Sequence, residues 1–212
     1  LQQFVDHAKT KAPKPMFIIG AGAFARADGA AILATAATAA QSLGVTSEDW
    51  NGFNVLHTAA ARVGGLDLGF VPGENGKATA EMIAETPILF LLGVDELDMT
   101  QRPAGSFTVY VGSHGDAGAS KADIILPAAA YTEMVATYVN TEGRVQMTRR
   151  AVQPKGEARE GWAILRALSD VVGKTLPYDS ADALRDALRA ENDVFAGLGY
   201  APGAAGVEAL KD

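Results

Sequence analysis

The stretch "ADIILPAAAYTEMVATYVNTEGRVQ", residues 122–146, decides the fold. Its apolar run at 123–126 ends at Pro127, which is how a strand buried on both faces of a parallel sheet ends. Tyr131 and Glu133 follow, just beyond the predicted carboxyl end of the strand. Open α/β sheets bind ligands in the crevice outside that edge. The stretch therefore predicts a strand and, after it, a suitable place for a site.

Four similar runs precede this strand, and most of them are continuously apolar rather than alternating. They are "MFII" at 16–19, "FNVL" at 53–56, "ILFLL" at 88–92 and "FTVYV" at 107–111. Helical segments separate them, one after Asp28 as N-cap and before Gly44, and a weaker one at about 77–85. This alternation predicts an α/β fold with a doubly wound, mostly parallel sheet flanked by helices. The connection "GSHGDAGASKA" is too short for a full crossover helix and predicts a compact loop with at most one helical turn.

A C-terminal helical extension follows residue 150. An amphipathic helix is predicted over 157–172, with an apolar stripe along one face and Gly173 at its end. A second helix begins at Asp179 or Ser180 and buries Leu184 and Leu188. The stripe comprises Trp162, Leu165, Leu168 and Val172, with Ile164 and Val171 beside it. We predict three segments: a leading helix and linker at 1–15, an α/β domain at 16–150, and helices with a tail at 151–212.

Composition excludes several classes of protein. The chain has 212 residues, 48% of them hydrophobic, which is enough to bury a sizeable core. Its net charge of −7 argues against nucleic acid as a partner. The sequence contains no cysteine, so disulfides and thiolate-held iron–sulfur clusters are excluded from these 212 residues. No apolar run approaches the roughly 18–20 residues that a membrane span needs. The sequence starts at Leu1 rather than at a methionine, which predicts a fragment of a longer polypeptide.

Two weaker motifs each have a structural explanation. Gly20, Gly22 and Ala25 match the dinucleotide spacing G-x-G-x-x-A after a strand, but the helix signal comes late and no acidic residue ends the second strand. A tight turn that needs glycine is the alternative explanation. The three histidines, His7, His57 and His114, have no metal-ligand spacing. No nucleophile accompanies His114 and Asp116. Structural roles are therefore favoured for all three histidines.

The segment "TYVNTEGRVQM" predicts a β-hairpin or tight loop. Asn140 and Gly143 suit the positive backbone angles of such a turn. Glu142 and Arg144 could pair there, although an exposed ion pair contributes little.

Two blocks of this sequence closely resemble the C-terminal part of the large iron–sulfur (G-type) subunit of respiratory complex I, NADH:quinone oxidoreductase. They are "GSHGDAGASKADIILPAAAYTEMVATYVNTEGRVQMTRRAV" at 112–152 and "GEAREGWAILRALSDVVGKTLPYD" at 156–179, with "DGAAIL" and "LFLLGVDE" upstream. The resemblance implies a fold related to molybdopterin oxidoreductases, in which "ADxxLP" and "N-x-E-G-R" lie near the pterin. It implies that the cofactor is absent here and that the matching residues carry the fold: Ala122, Asp123, Leu126, Pro127, Asn140, Glu142, Gly143 and Arg144.

The resemblance also implies a function. We expect a non-catalytic scaffold segment that braces the peripheral arm passing electrons from NADH to quinone, with no catalytic, cofactor-binding or metal residues of its own. The [2Fe-2S] and [4Fe-4S] clusters are expected upstream in the parent chain, and the partners are other subunits of the arm, with no membrane insertion. The expected location is the cytoplasmic face of a bacterial inner membrane or the matrix face of the mitochondrial one. Two alternatives stay open: a cofactor-binding domain of a true molybdopterin-dependent oxidoreductase, and an independent NAD-binding dehydrogenase built on Gly20–Ala25.

Overall fold

The computed structural model describes residues 2–11, 14–115 and 117–196, and these form two compact units. The first unit comprises the described residues up to Asp67 together with Tyr138–Arg144. The second comprises Leu68–Thr137 and the described residues from Val145 onward. Asp116 and the tail after residue 196 lie outside the described residues. The division at residues 15 and 150 stays a prediction.

The first unit is built around a two-stranded parallel sheet. Strands β1 and β4 pair in register from Phe17 opposite Phe53 to Gly20 opposite Leu56. Strands β2 and β3 form a short antiparallel ladder before β4. The elements of this unit are α1 (Gln2–Lys11), β1 (Phe17–Gly20), α2 (Gly29–Ser42), β2 (Thr46–Ser47), β3 (Trp50–Asn51), β4 (Phe53–Leu56) and α3 (Arg62–Asp67).

The second unit contains a three-stranded parallel sheet of order β5-β6-β7. Its elements are α4 (Thr79–Glu85), β5 (Ile88–Leu92), β6 (Phe107–Gly112), β7 (Ile124–Pro127), β9 (Val145–Met147), α5 (Gly161–Val171) and α6 (Ala181–Glu191). Strand β8 (Thr137–Val139) precedes β9 and forms a two-stranded sheet with it. All five predicted strands are present within one residue of their predicted limits. The α/β class, the parallel pairing and the C-terminal helices are confirmed, while the five strands are divided between two sheets.

The β5-β6-β7 sheet buries its two faces differently. Leu91 and Tyr110 lie on one face and pack with Met99 and Ala119 in the core. On the other face Val111 is buried, but Leu92 beside it is 45% exposed. The short link from β6 to β7 contains one 3-10 turn, Ala119–Lys121, as predicted.

Helix α2 begins and ends where the sequence predicts, with one difference in its cap. Gly44 has a φ of 69°, a left-handed conformation that glycine adopts without strain. Asp28 precedes the helix, but its carboxylate does not cap it, because both oxygens accept hydrogen bonds from Arg26 at 2.8 and 3.1 Å. The glycine that packing demands here is Gly29, where an added Cβ would overlap the Phe24 carbonyl.

The C-terminal helices correct three details of the prediction. Helix α5 starts at Gly161 rather than 157, because Arg159 is still extended and bridges Ala128. Val171 and Val172 are 85% and 61% exposed, so the apolar stripe does not extend to them. In α6 the most buried residue is an arginine, Arg185, and not one of the two predicted leucines.

Helix α6 is anchored by a charged side chain. Ser180 caps it by accepting a hydrogen bond from Ala183 N at 3.1 Å, which selects between the two predicted caps. Leu184 and Leu188, the predicted buried pair, are only half-buried. The most buried residue is Arg185, whose guanidinium donates to the Val135 carbonyl at 3.2 Å. None of the helices in the described ranges has the length and apolar character needed to cross a membrane.

Candidate functional site

A cavity of about 510 Å³ lies in the second unit at the carboxyl ends of β5 and β6. This is the sheet edge at which the sequence predicts a site. Its walls are largely apolar and come from both strands, the segment after β7 and the first turns of α5. Lining side chains include Leu92, Val111, Ala129, Met134, Trp162 and Leu165.

The polar side chains Glu160 and Ser113 of the cavity wall already have partners inside the protein. Glu160, at the start of α5, accepts hydrogen bonds from Arg150 at 2.6 Å and from the Trp162 indole at 2.7 Å. Ser113 Oγ lies 3.0 Å from Nδ1 of His114. Tyr131 is 75% exposed and stands at the mouth. What the cavity offers a ligand is therefore the Tyr131 hydroxyl and the first backbone N–H groups of α5, at Gly161 and Trp162, which have no side-chain cap.

The residues of the "ADxxLP" segment position this edge of the sheet. Asp123 fixes the start of β7 because its Oδ2 accepts from Thr108 N at 2.7 Å while its own N donates to Thr108 O at 2.9 Å. Ala122 packs against the core and Leu126 pairs with Val111. Their contacts are those of residues that hold strands together.

Pro127 does not terminate the strand interactions as the sequence suggests. It pairs with Gly112, and its carbonyl accepts from Arg159 N at 3.2 Å. Ala129 N donates back to Arg159 O at 2.8 Å. The backbone before α5 thus extends the sheet and forms one wall of the cavity.

Glu133 is a buried carboxylate with a local role. Its Oε2 accepts from Ala130 N at 3.0 Å, and its own N donates to Ala130 O at 2.8 Å. The side chain closes the turn after β7 and does not line the cavity.

The "N-x-E-G-R" segment is a tight turn grouped with the first unit. Asn140 Oδ1 accepts from the backbone N of Glu142 at 3.0 Å and of Arg144 at 2.9 Å. Gly143 has a φ of 79°, as such a turn requires. The Glu142–Arg144 ion pair, 3.2 Å long, has side chains 65% and 69% exposed. The predicted hairpin turn is confirmed, and Asn140 is its organising residue.

The glycine motif of β1 does not have the geometry of a dinucleotide site. Gly20 is followed by a 3-10 turn, Ala21–Phe24, and α2 begins only at Gly29, so no α-helix N-terminus faces the motif. A Cβ at Gly20 or Gly22 would meet nothing within 4 Å, so the steric need for glycine is also absent. A second cavity of about 430 Å³ borders this turn and includes His57 and Arg62.

No metal centre is evident among residues 2–11, 14–115 and 117–196, where no group of three His, Cys, Asp or Glu side chains converges.

The backbone carbonyl of His114 accepts a hydrogen bond from the hydroxyl of Tyr110. Burial, with the nearby charges of Asp95 and Glu96, raises the pKa of Tyr110 above its ordinary value. The phenol therefore stays protonated and donates this hydrogen bond at neutral pH.

Sequence reasoning missed two residues that shape this region. Asp95 Oδ1 accepts from the backbone N of Gly118 at 2.7 Å and of Ala119 at 3.2 Å, holding the loop after β6. Glu160 was not singled out, although it stands immediately before an amphipathic helix, where a polar cap is expected. Its partner Trp162 was assigned only to the core.

Comparison with known proteins finds one matching family and several similar sequences. The sequence pattern of the family described as "Molybdopterin oxidoreductase" matches residues 3–171. The NADH-ubiquinone oxidoreductase 75 kDa subunit of Reclinomonas americana is 47% identical, over 80% of this chain and 25% of that protein. The mitochondrial NADH dehydrogenase [ubiquinone] iron-sulfur protein 1 of Solanum tuberosum is 44% identical, over 86% and 24%. The mitochondrial 78 kDa subunit of Neurospora crassa is 48% identical, over 82% and 23%. The chain thus spans about a quarter of the length of these relatives.

Proposed function

The chain belongs to the molybdopterin oxidoreductase family, and we propose that it acts as a non-catalytic scaffold segment of the large iron–sulfur subunit of NADH:quinone oxidoreductase, complex I. Identities of 44–48% to proteins named as subunits of that enzyme support the assignment. The observation that carries the scaffold role is the chemistry of the cavity at the sheet edge, where Glu160, Ser113 and the backbone N of Gly93 are bonded within the protein and no cationic side chain of the described residues lines the wall.

The family implies a molybdopterin, and the residues of this cavity do not fit that group. A pterin with its phosphate needs cationic or N–H donors, since an unpaired charge is costly to bury. Gly93 N, at the end of β5, already donates to Val111 O at 2.8 Å. The carboxylate of Glu160 would repel a phosphate, and the guanidinium of Arg150 is already bonded to that carboxylate.

Electron transfer in the parent enzyme is then the task of other segments. Thiolate-held iron–sulfur clusters need cysteine, and none of the 212 residues is cysteine. We place the [2Fe-2S] and [4Fe-4S] clusters of the parent subunit outside this segment. The segment contributes shape and surface to the peripheral arm, on the cytoplasmic face of a bacterial inner membrane or the mitochondrial matrix face.

The alternative is a cofactor-binding domain of a true molybdopterin-dependent oxidoreductase. The family match and the position of the cavity at the carboxyl edge of a parallel sheet favour it. The two functions differ in whether turnover depends on residues of this segment.

A pair of variants in the assembled complex tests the scaffold role. The double variant Asn140→Ala/Arg144→Ala removes the organising side chain and the exposed ion pair of the turn. Val139→Asp places a charge at a position that is 2% exposed and should impair assembly. For both, we expect NADH oxidation by a soluble acceptor to fall only in proportion to the amount of complex assembled, measured on native gels.

The contradicting outcome is also specific. Normal assembly of the double variant, combined with a tenfold or greater loss of turnover per complex, would assign this segment a direct catalytic role. Val139→Asp is the matched control, because it shows what a purely structural defect looks like in the same assay.

A further inference from the structure

The cavity at the carboxyl ends of β5 and β6 has the size and lining of a small-molecule site. Its volume of about 510 Å³ falls within the range of roughly 300–1,000 Å³ that such sites occupy. We propose that it binds an uncharged, largely aromatic small molecule rather than the phosphate-bearing pterin that the family implies. The proposal does not depend on complex I membership, since it rests on the cavity alone.

The walls favour an aromatic ligand. Leu92 and Val111 are register partners on the same sheet face and form an apolar floor. Opposite them, α5 contributes Trp162 and Leu165. The Trp162 ring is held by its hydrogen bond to Glu160, so its orientation is preset. A preset indole and the thioether of Met134 are the side chains on which flat aromatic rings pack well.

The electrostatics disfavour an anion. Glu160 is the one carboxylate of the wall, with a side chain only 14% exposed, and its charge is balanced by Arg150. An entering phosphate or carboxylate would lose its water without gaining a cationic side chain, unless the Arg150–Glu160 pair broke. Its other donors would be the first N–H groups of α5, at Gly161 and Trp162, and the Glu160 carboxylate beside them offsets their attraction for an anion. A neutral ring loses little on desolvation and gains contact with the floor. The cavity should therefore discriminate by charge between molecules of the same shape.

Binding of indole and indole-3-acetate to the full chain tests this discrimination, because the two share one ring system and differ by a carboxylate. Guanosine monophosphate serves as the phosphate-bearing probe. Methyl chemical shifts of Leu92, Val111 and Leu165 report on the floor and the facing wall, and intermolecular NOEs from indole place it without any substitution. We expect saturable shifts with indole at a Kd of about 1 mM or tighter. Indole-3-acetate should bind at least tenfold more weakly, and guanosine monophosphate should not saturate.

Two variants link the binding to the cavity. Ala136→Leu fills it and should weaken indole binding at least tenfold, whereas Ala167→Leu, on the exposed side of α5, should leave it unchanged. If Ala136→Leu does not fold, the NOEs in the unaltered protein decide. Saturation by guanosine monophosphate at the same methyl groups, equal affinity for the two indoles, or no indole NOE to them would overturn the proposal. None of these outcomes bears on assembly of complex I, so failure here is distinct from failure of the scaffold function.

Discussion

Replacing Arg102 with methionine should destabilise the second unit more than replacing any exposed arginine of that unit. The half-buried guanidinium of Arg102 joins the end of α4 to the start of β6. Nη1 donates to Ile83 O at 3.1 Å and to Thr86 O at 2.8 Å, and Nη2 donates to Phe107 O at 3.2 Å. Two of these acceptors lie at the C-terminal end of α4, where carbonyls have no intrahelical donor.

The expected loss of stability follows from these hydrogen bonds, to which Nη1 adds a longer one to Thr86 Oγ1 at 3.3 Å. A hydrogen bond to a charged group is worth about 1.5–3 kcal/mol, but shared donors and partial exposure reduce the sum. One nitrogen, Arg102 Nε, is buried without a partner, and its release offsets part of the loss. We therefore expect Arg102→Met, which keeps the apolar stem, to lower the free energy of unfolding by about 2–4 kcal/mol. Arg102→Lys should lower the free energy of unfolding by about half as much, since an ammonium cannot reach the same set of acceptors.

Urea unfolding followed by Trp162 fluorescence measures this loss in the second unit. All variants carry Trp50→Phe, so that emission comes from one tryptophan and the background change cancels between them. Arg149→Met is the control, because Arg149 is exposed and its loss should stay below about 0.5 kcal/mol. If Arg102→Met is no more destabilising than this control, the tie between α4 and β6 does not contribute as argued.

Two further predictions concern the first unit and the C-terminal helices. Gly29→Ala should destabilise the first unit by about 3 kcal/mol or more, since its Cβ would overlap the Phe24 carbonyl; a Trp50 unfolding midpoint equal to that of the unaltered chain would contradict this. Hydrogen bonds from Thr175 and Arg166 lower the pKa of Asp170, so its stabilising contribution is present above the ordinary carboxyl pKa and is lost as pH falls through the lowered value. Asp170→Asn should therefore reduce stability at neutral pH and flatten its decline in acid, measured by thermal unfolding between pH 7 and pH 2; an unchanged acid profile would contradict this.

Much of the fold could be predicted because its signals are local. The strand at 88–92 is an uninterrupted apolar run with a glycine after it, and no tertiary contact is needed to recognise it. The same holds for Gly44 and Ser180, whose residue types match their cap positions. The division of the strands between two sheets could not be predicted, because pairing depends on contacts between segments distant in sequence.

The errors have two causes: a side chain that hydrogen-bonds to a neighbouring residue instead of capping its helix, and an apolar side chain that no described segment covers. Asp28 stands at a helix start, yet the adjacent Arg26 takes both of its oxygens. Hydrophobic periodicity predicted burial at Val172, but none of the described segments covers the end of α5 at that point, and the residue is 61% exposed.

The candidate site was predicted in place but not in composition. Pro127 and the residues around it marked the correct sheet edge, because a strand end is visible in sequence. The cavity wall supplied by Glu160 and Trp162 comes from a segment more than thirty residues later, and no local pattern connects the two. Asn140 was correctly placed in a turn, but the positive backbone angle predicted for it was wrong: of the two turn residues only Gly143 has one, and Asn140 acts through its side-chain oxygen, which accepts from two backbone N–H groups.

The central claim is that this domain keeps the fold of a cofactor enzyme while carrying no cofactor. Its most direct test is the molybdenum and pterin content of the full-length protein purified from its native source, determined per polypeptide chain by elemental analysis and by fluorescence of the oxidised pterin. The account predicts molybdenum and pterin far below one per chain in preparations that retain NADH oxidation. Stoichiometric molybdenum together with pterin in those preparations would contradict it.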